Sequence, residues 1–230
     1  IAGNHDSPVR LEMPQPLLEN TQVHLIGHIK RNEIHEIDYE ALTLPLYSKG
    51  EIAAYCLAVP FLRLGDTPKT DDFSDYGKGI TTFYQEITKR ALAIANGKPL
   101  IAMGHLHASG AELSEEDTAE RPIIGGMESI SPSSFPKALQ YIALGHIHKA
   151  QALGDAHIRY AGSPIPLSFS EKHYTHQVVT FSIENGYVQG IKSIPLPIHT
   201  PLLSVPERAL PPEEVLHLLT KLPEATNESP

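Results

Sequence analysis

The sequence predicts an α/β fold, and three observations carry that prediction. Two short apolar runs, residues 99–103 and 138–144, each end in Gly-His, the pattern of a buried strand that delivers a side chain at a sheet edge. Just before the first of them, Phe83, Ile87, Ala91 and Ile94 recur at helical spacing. Beyond Ala150 the pattern is strongly β, with Gly154-Asp155 and Asn185-Gly186 as turn signals.

Taken in order, Ile1-Ala2-Gly3 reads as the tail of a strand, and the absence of a starting methionine leads us to expect an N-terminally incomplete chain. Residues 7–20 place Pro8 where a helix N1 proline sits, and Pro14 and Pro16 limit the segment to short turns. A strand is expected over residues 23–26, ending at Gly27. Residues 41–47 and 52–59, joined by Ser48-Lys49-Gly50-Glu51, read as a β-hairpin. An exposed loop over residues 62–78 leads into a helix over residues 80–95, which Gly97 stops. Between the two Gly-His strands, residues 108–134 are polar, acidic from Glu112 to Glu120, and long enough to mark a functional loop. Strands follow at residues 151–153, 157–161, 177–183 and 187–194, before Pro195, Pro197 and Pro201 mark a boundary. In the last segment, Val215, Leu218, Leu219 and Leu222 suit either a partner groove or packing onto the chain's own sheet.

A length of 230 residues and a net charge of −9 fit one large domain and argue against wholesale coating of nucleic acid, though not against a nuclease whose cations meet the phosphates locally. Cys56 is the only cysteine, so no intrachain disulfide forms, and its apolar surroundings suit a buried small hydrophobe in a reducing compartment. With no long apolar run and no secretory signal, the expectation is a cytoplasmic protein without membrane partners.

The chemistry concentrates in Gly3-Asn4-His5-Asp6, Gly104-His105 and Gly145-His146-Ile147-His148. Divalent cations accept imidazole, amide and carboxylate ligands, and a pair of them can clamp a phosphodiester. Asn4 is thus a candidate ligand, His5 a candidate partner of the scissile phosphate, and Asp6 a candidate to orient the His5 ring; a polar turn with side-chain-to-backbone bonds is the other reading. His146 and His148 share a side if the backbone there is extended. His107 reads as a solvent-facing loop residue, and the remaining histidines as structural or surface groups. Residues 162–169 suit a substrate-side wall or a rigid crossing between strands.

These three motifs, in this order, resemble those of the calcineurin-like metallophosphoesterases. The longer strings at residues 141–151 and 160–169, with Ile101-Ala102-Met103-Gly104-His105-Leu106, are similar to the SbcD family of nuclease subunits over residues 1–194. The resemblance implies a four-layer α/β sandwich of two mixed sheets flanked by helices, spanning residues 1–200, with residues 201–230 starting a capping domain. It implies Asn4, His105 and His146 on one ion, His148 on a second, His5 assisting catalysis, and Mn²⁺ or Mg²⁺ as the ion. It further implies cleavage of DNA ends and hairpins by a dimer joined to an SbcC-type ATPase.

In the family an Asp-x-His and a Gly-Asp-x-x-Asp segment come first, and both would lie before Ile1, so the isolated chain is expected to bind metal weakly and to cut poorly. Two other readings stay open: a phosphoesterase acting on a phosphoprotein or small phosphoester, and a catalytically silent partner-binding module.

Overall fold

The computed structural model describes residues 1–18, 20–68, 76–112 and 129–222. Its centre is a six-stranded mixed sheet built from β1 (Thr43–Ser48), β2 (Glu51–Ala58), β3 (Leu100–His105), β4 (Leu139–Gly145), β5 (Gln151–Leu153) and β6 (Asp155–Tyr160), in the order β1-β2-β3-β4-β6-β5. The four central strands run parallel, while the edge strands β1 and β5 are antiparallel to their neighbours. The fold class is α/β, as the sequence predicts.

Helix α2 (Tyr76–Ile94) covers one face of this sheet. Ile80, Phe83, Tyr84, Ile87 and Ala91 are buried in one cluster with Leu57, Leu100, Ala102, Ile142 and Leu144. The stripe differs from the expected one at its end: Ile94 is 45% exposed and Ala95 is buried instead. Burying a Phe- or Leu-sized side chain contributes roughly 1.5–3 kcal/mol, so this face is the main source of stability.

On the opposite face lies a hairpin of β7 (Gln177–Glu184) and β8 (Tyr187–Pro195), whose Val179, Phe181, Val188 and Ile191 pack on Cys56, Ile101 and Tyr141. Gln140 ties it to β4, donating to the Gly186 carbonyl at 3.0 Å and accepting from the Val188 N–H at 2.8 Å. Burial raises the Cys56 thiol to about 11, keeping it protonated and inert. The layer order through this core is helix, sheet, sheet.

The hairpin of β1 and β2 turns at Lys49-Gly50, both at positive φ as a tight two-residue turn demands. Helix α1 (Pro8–Glu12) carries proline at its start, as expected. Residues 23–26, by contrast, form no strand. The backbone donors of Leu25 and Gly27 are taken by the side chains of Gln15 at 3.0 Å and Glu12 at 2.6 Å, and the Ile26 carbonyl accepts from Ala2 at 2.9 Å. Ile1-Ala2-Gly3 is likewise not a strand, although Ala2 is buried and its carbonyl accepts from the Phe61 N–H at 2.9 Å.

Helix α3 (Pro212–Leu219) has no fully buried residue: of the expected apolar face, Val215 and Leu218 are partly buried, while Leu219 is 44% and Leu222 41% exposed. No described helix is long and apolar enough to cross a membrane. The acidic part of the 108–134 loop, its Gly125-Gly126 pair and the final residues from 223 lie outside the described residues.

Candidate metal centre

The site grows from the carboxyl ends of β3 and β4, where an open parallel sheet presents ligands. Parallel pairing sets His105 opposite Gly145, so the two Gly-His corners emerge side by side. The His105 and His146 rings lie edge to face with centroids 5.4 Å apart. The opening tetrapeptide comes in beside them: His105 Nε2 lies 2.9 Å from Asn4 Oδ1. Gly3 permits this approach, because a Cβ there would sit 2.7 Å from His105 Cε1.

Beneath the first corner, Tyr160 is fully buried. Its hydroxyl donates to the Leu106 carbonyl at 2.8 Å and accepts from the Ala108 N–H at 2.9 Å, pinning the turn that follows His105. Phe61 meets the His105 ring edge-on at 6.2 Å between centroids.

Electrostatics favour neutral imidazoles here. Burial, reinforced by the nearby His146 and partly opposed by Asp6, lowers His105 to about 4. Burial together with His107 and His148 lowers His146 to about 4. Both rings therefore carry a lone pair at neutral pH, the form a metal requires.

The donors also have the right spacing. Two ligands at ~2.1 Å from an octahedral ion and at right angles to each other stand about 3.0 Å apart, and His105 Nε2 and Asn4 Oδ1 are separated by 2.9 Å. No group of three His, Cys, Asp or Glu side chains among the described residues forms a ready cage. The groups brought together here are one amide oxygen, from Asn4, and two imidazoles, from His105 and His146.

No protein-family model matches the chain. Curated relatives do. The chain is 38% identical over 229 residues to the SbcD subunit of the SbcCD nuclease of Rhodobacter capsulatus, an alignment that takes in 96% of this chain and 56% of that protein. Against the Escherichia coli K12 counterpart it is 35% identical over 222 residues, 88% of this chain and 50% of the relative. Against the Bacillus subtilis counterpart it is 32% identical over 196 residues, 81% and 46% respectively. Over most of its length the chain is similar to SbcD nuclease subunits. It spans about half the length of the SbcD relatives it matches.

Within this chain, Asn4, His105 and His146 come together, and His148 stands at the same corner with its Nδ1 2.9 Å from Glu171 Oε1. His146 has φ of 106°, so the Gly-His-Ile-His segment turns rather than running extended, and the alternation expected of a strand does not apply. His5 is exposed. The Asp6 carboxylate accepts from the Gly3 N–H at 2.6 Å, closing the turn instead of orienting the His5 ring. His107 differs from its solvent-facing expectation: it is partly buried, its ring lies 6.3 Å from that of His146, and burial lowers its pKa.

Glu171, Ser163 and His176 were not among the residues the motifs single out. Glu171 is 1% exposed and accepts from Ser163 Oγ at 2.9 Å and from the Leu167 N–H at 3.1 Å. His176, also buried, has its Nδ1 2.8 Å from the Ser163 carbonyl, which requires Nδ1 to donate. Burial opposes ionisation of Glu171, but the hydrogen bonds from His148, Leu167 and Ser163 prevail and lower its pKa. The Ser-x-x-Glu spacing of Ser168 and Glu171 was the available signal, and it reads as a capping box instead.

Proposed function

We propose that the chain carries much of the nuclease site of an SbcCD-like complex that hydrolyses DNA phosphodiester bonds with divalent cations. The observation that carries this reading is the meeting of Asn4 Oδ1 and His105 Nε2 at 2.9 Å beside the His146 ring, at the ends of neighbouring parallel strands. Similarity to SbcD nuclease subunits from three bacteria supports the DNA substrate over a phosphoprotein or small phosphoester.

Asn4, His105 and His146 would hold one ion, and His148 would serve a second. Cations bound there, Mn²⁺ or Mg²⁺, would supply Lewis-acid polarisation of the phosphoryl oxygens. The chain's own groups set the stage for that chemistry. His105 and His146 present nitrogen lone pairs, because their burial keeps them unprotonated near neutral pH. His5, exposed beside Asn4, would meet the scissile phosphate and pass a proton to a departing oxygen. Asp6 holds the Gly3 turn so that Asn4 keeps its aim.

The same reading places the protein in the cytoplasm, as a homodimer joined to an SbcC-type ATPase and acting on DNA ends and hairpins with exonuclease and endonuclease modes. Residues 1–200 would form the phosphoesterase domain, and residues 201–230 would begin a capping domain. The test is cleavage of linear and hairpin DNA with Mn²⁺ and ATP by the intact protein with its ATPase partner. His146→Ala should abolish cutting while leaving the circular dichroism spectrum and melting profile intact. Near-normal turnover in that variant would refute the assignment.

A further inference from the structure

A carboxylate with no access to solvent stands directly behind one of the candidate ligands. Glu171 follows a short turn, Phe169–Glu171, and only 1% of its surface is exposed. Burying a carboxylate is costly unless its oxygens are saturated with donors. Here they are. Oε2 accepts from the Ser163 hydroxyl at 2.9 Å and from the Leu167 N–H at 3.1 Å. Oε1 faces His148 Nδ1 at 2.9 Å, with the Ser168 hydroxyl at 3.4 Å.

That arrangement dictates a proton position. A carboxylate surrounded by a backbone N–H and serine hydroxyls acts as acceptor only, so Nδ1 of His148 must be the donor. With Nδ1 as donor, the neutral form of the ring has its lone pair on Nε2. The loop that carries the carboxylate is tied to the same corner, since the Ser163 N–H donates to the His148 carbonyl at 3.0 Å. Gly162 makes that possible: its φ is +83°, and a Cβ there would lie 2.5 Å from the His148 carbonyl oxygen.

We propose that Glu171 is the positioning residue of this site, fixing His148 as the Nδ1–H tautomer and reserving its Nε2 lone pair for a divalent cation. The proposal rests on the metal reading above and extends it to a residue outside the Gly-Asn-His-Asp, Gly-His and Gly-His-x-His motifs. A carboxylate behind a ligating histidine fixes ring orientation and raises basicity, and its loss typically weakens metal binding 10–100-fold.

The hydrogen-bond polarity makes Glu171→Gln an unusually specific test. In the variant, the Leu167 N–H and the Ser163 hydroxyl still demand an acceptor, so the amide oxygen settles at the Oε2 position. The amide NH₂ then occupies the Oε1 position and points at His148 Nδ1. Nδ1 has to become the acceptor, and the proton moves to Nε2. A substitution that changes almost no volume thereby inverts the tautomer of the ligand.

The experiment is a long-range ¹H–¹⁵N correlation of ¹⁵N-histidine-labelled intact protein, metal-free near neutral pH, paired with Mn²⁺ titration by calorimetry. The expected result is Nδ1–H for His148 in the unsubstituted protein and Nε2–H in Glu171→Gln, with Mn²⁺ affinity lowered about 10–100-fold. Nε2–H in the unsubstituted protein, or the same tautomer in both, would overturn the proposal. So would an inverted tautomer with unchanged affinity. The tautomer readout needs no metal: an unsubstituted protein that binds no Mn²⁺ overturns the metal reading itself, while the spectra still decide the hold of Glu171 on His148. If Glu171→Gln does not fold, the tautomer of the unsubstituted protein decides alone.

Discussion

Acid should loosen this protein through its histidine cluster before it touches the carboxylates. His105 and His146 are both lowered from 6.5 to about 4, chiefly by burial, with His146 adding to the effect on His105 and His107 and His148 to that on His146. A histidine whose folded pKa is depressed leaves stability intact above 6.5 and removes it as pH falls toward 4, because the unfolded chain takes up the proton first. At about pH 5 the unfolded form of each ring is favoured by about 2 kcal/mol, from RT times the logarithm of the ratio of proton-binding sums with pKa values of 6.5 and about 4. Both rings keep some solvent contact, so roughly half of the combined figure, about 2 kcal/mol, is the expected loss between about pH 7 and about pH 5. His107, lowered by burial as well, adds in the same direction. Glu171 lies below the ordinary carboxylate range and contributes at lower pH. The assay is urea denaturation at the two pH values with chelator present, comparing the unsubstituted chain with His146→Gln. The variant should lose about half as much stability, having one fewer depressed imidazole and a His105 relieved of the charge repulsion from His146. Equal losses in the two proteins, or no loss in the unsubstituted one, would refute the reasoning.

Gly3→Ala should displace His105, because the new Cβ would stand 2.7 Å from Cε1 and the ring is already held between Asn4 and Gly145. Overpacking of this kind costs about 1–3 kcal/mol, and a denaturant midpoint shift together with weakened Mn²⁺ binding by calorimetry would register it. Tyr160→Phe removes the hydroxyl that bonds both Leu106 and Ala108, leaving two buried backbone groups unpaired. Urea denaturation should show about 1–3 kcal/mol of destabilisation, and amide exchange should quicken at Leu106 and Ala108 specifically.

Much of this architecture is legible in the residues because the deciding signals are local. Lys49-Gly50 and Asn185-Gly186 announce their hairpins, and both adopt positive φ. Phe83, Ile87 and Ala91 announce the buried face of α2, while Ile94 fails because the helix ends there and the chain turns away at Asn96 and Gly97. Residues 23–26 mislead because the Val23 and Leu25 N–H groups are taken by the side chains of Thr21 and Gln15, with Glu12 taking the next donor at Gly27, and no periodicity records such a substitution for a ladder. The convergence of His105 and His146 follows from two apolar runs, each ending in glycine and histidine, once they pair in parallel. Asp6 and His107 both sit in turns, and the direction a turn residue takes depends on tertiary neighbours that no local pattern records. Glu171 is the least legible: charged residues are seldom buried, and only the fold shows that Ser163, Leu167 and His148 surround it.

The central claim is that Asn4, His105 and His146 share a cation, and a crystal of the intact protein at saturating Mn²⁺ tests it most directly. The account predicts a manganese anomalous peak within coordinating distance of Asn4 Oδ1, His105 Nε2 and a ring nitrogen of His146. A map in which Asn4 and His105 remain bonded only to each other, with manganese elsewhere or nowhere, would contradict it.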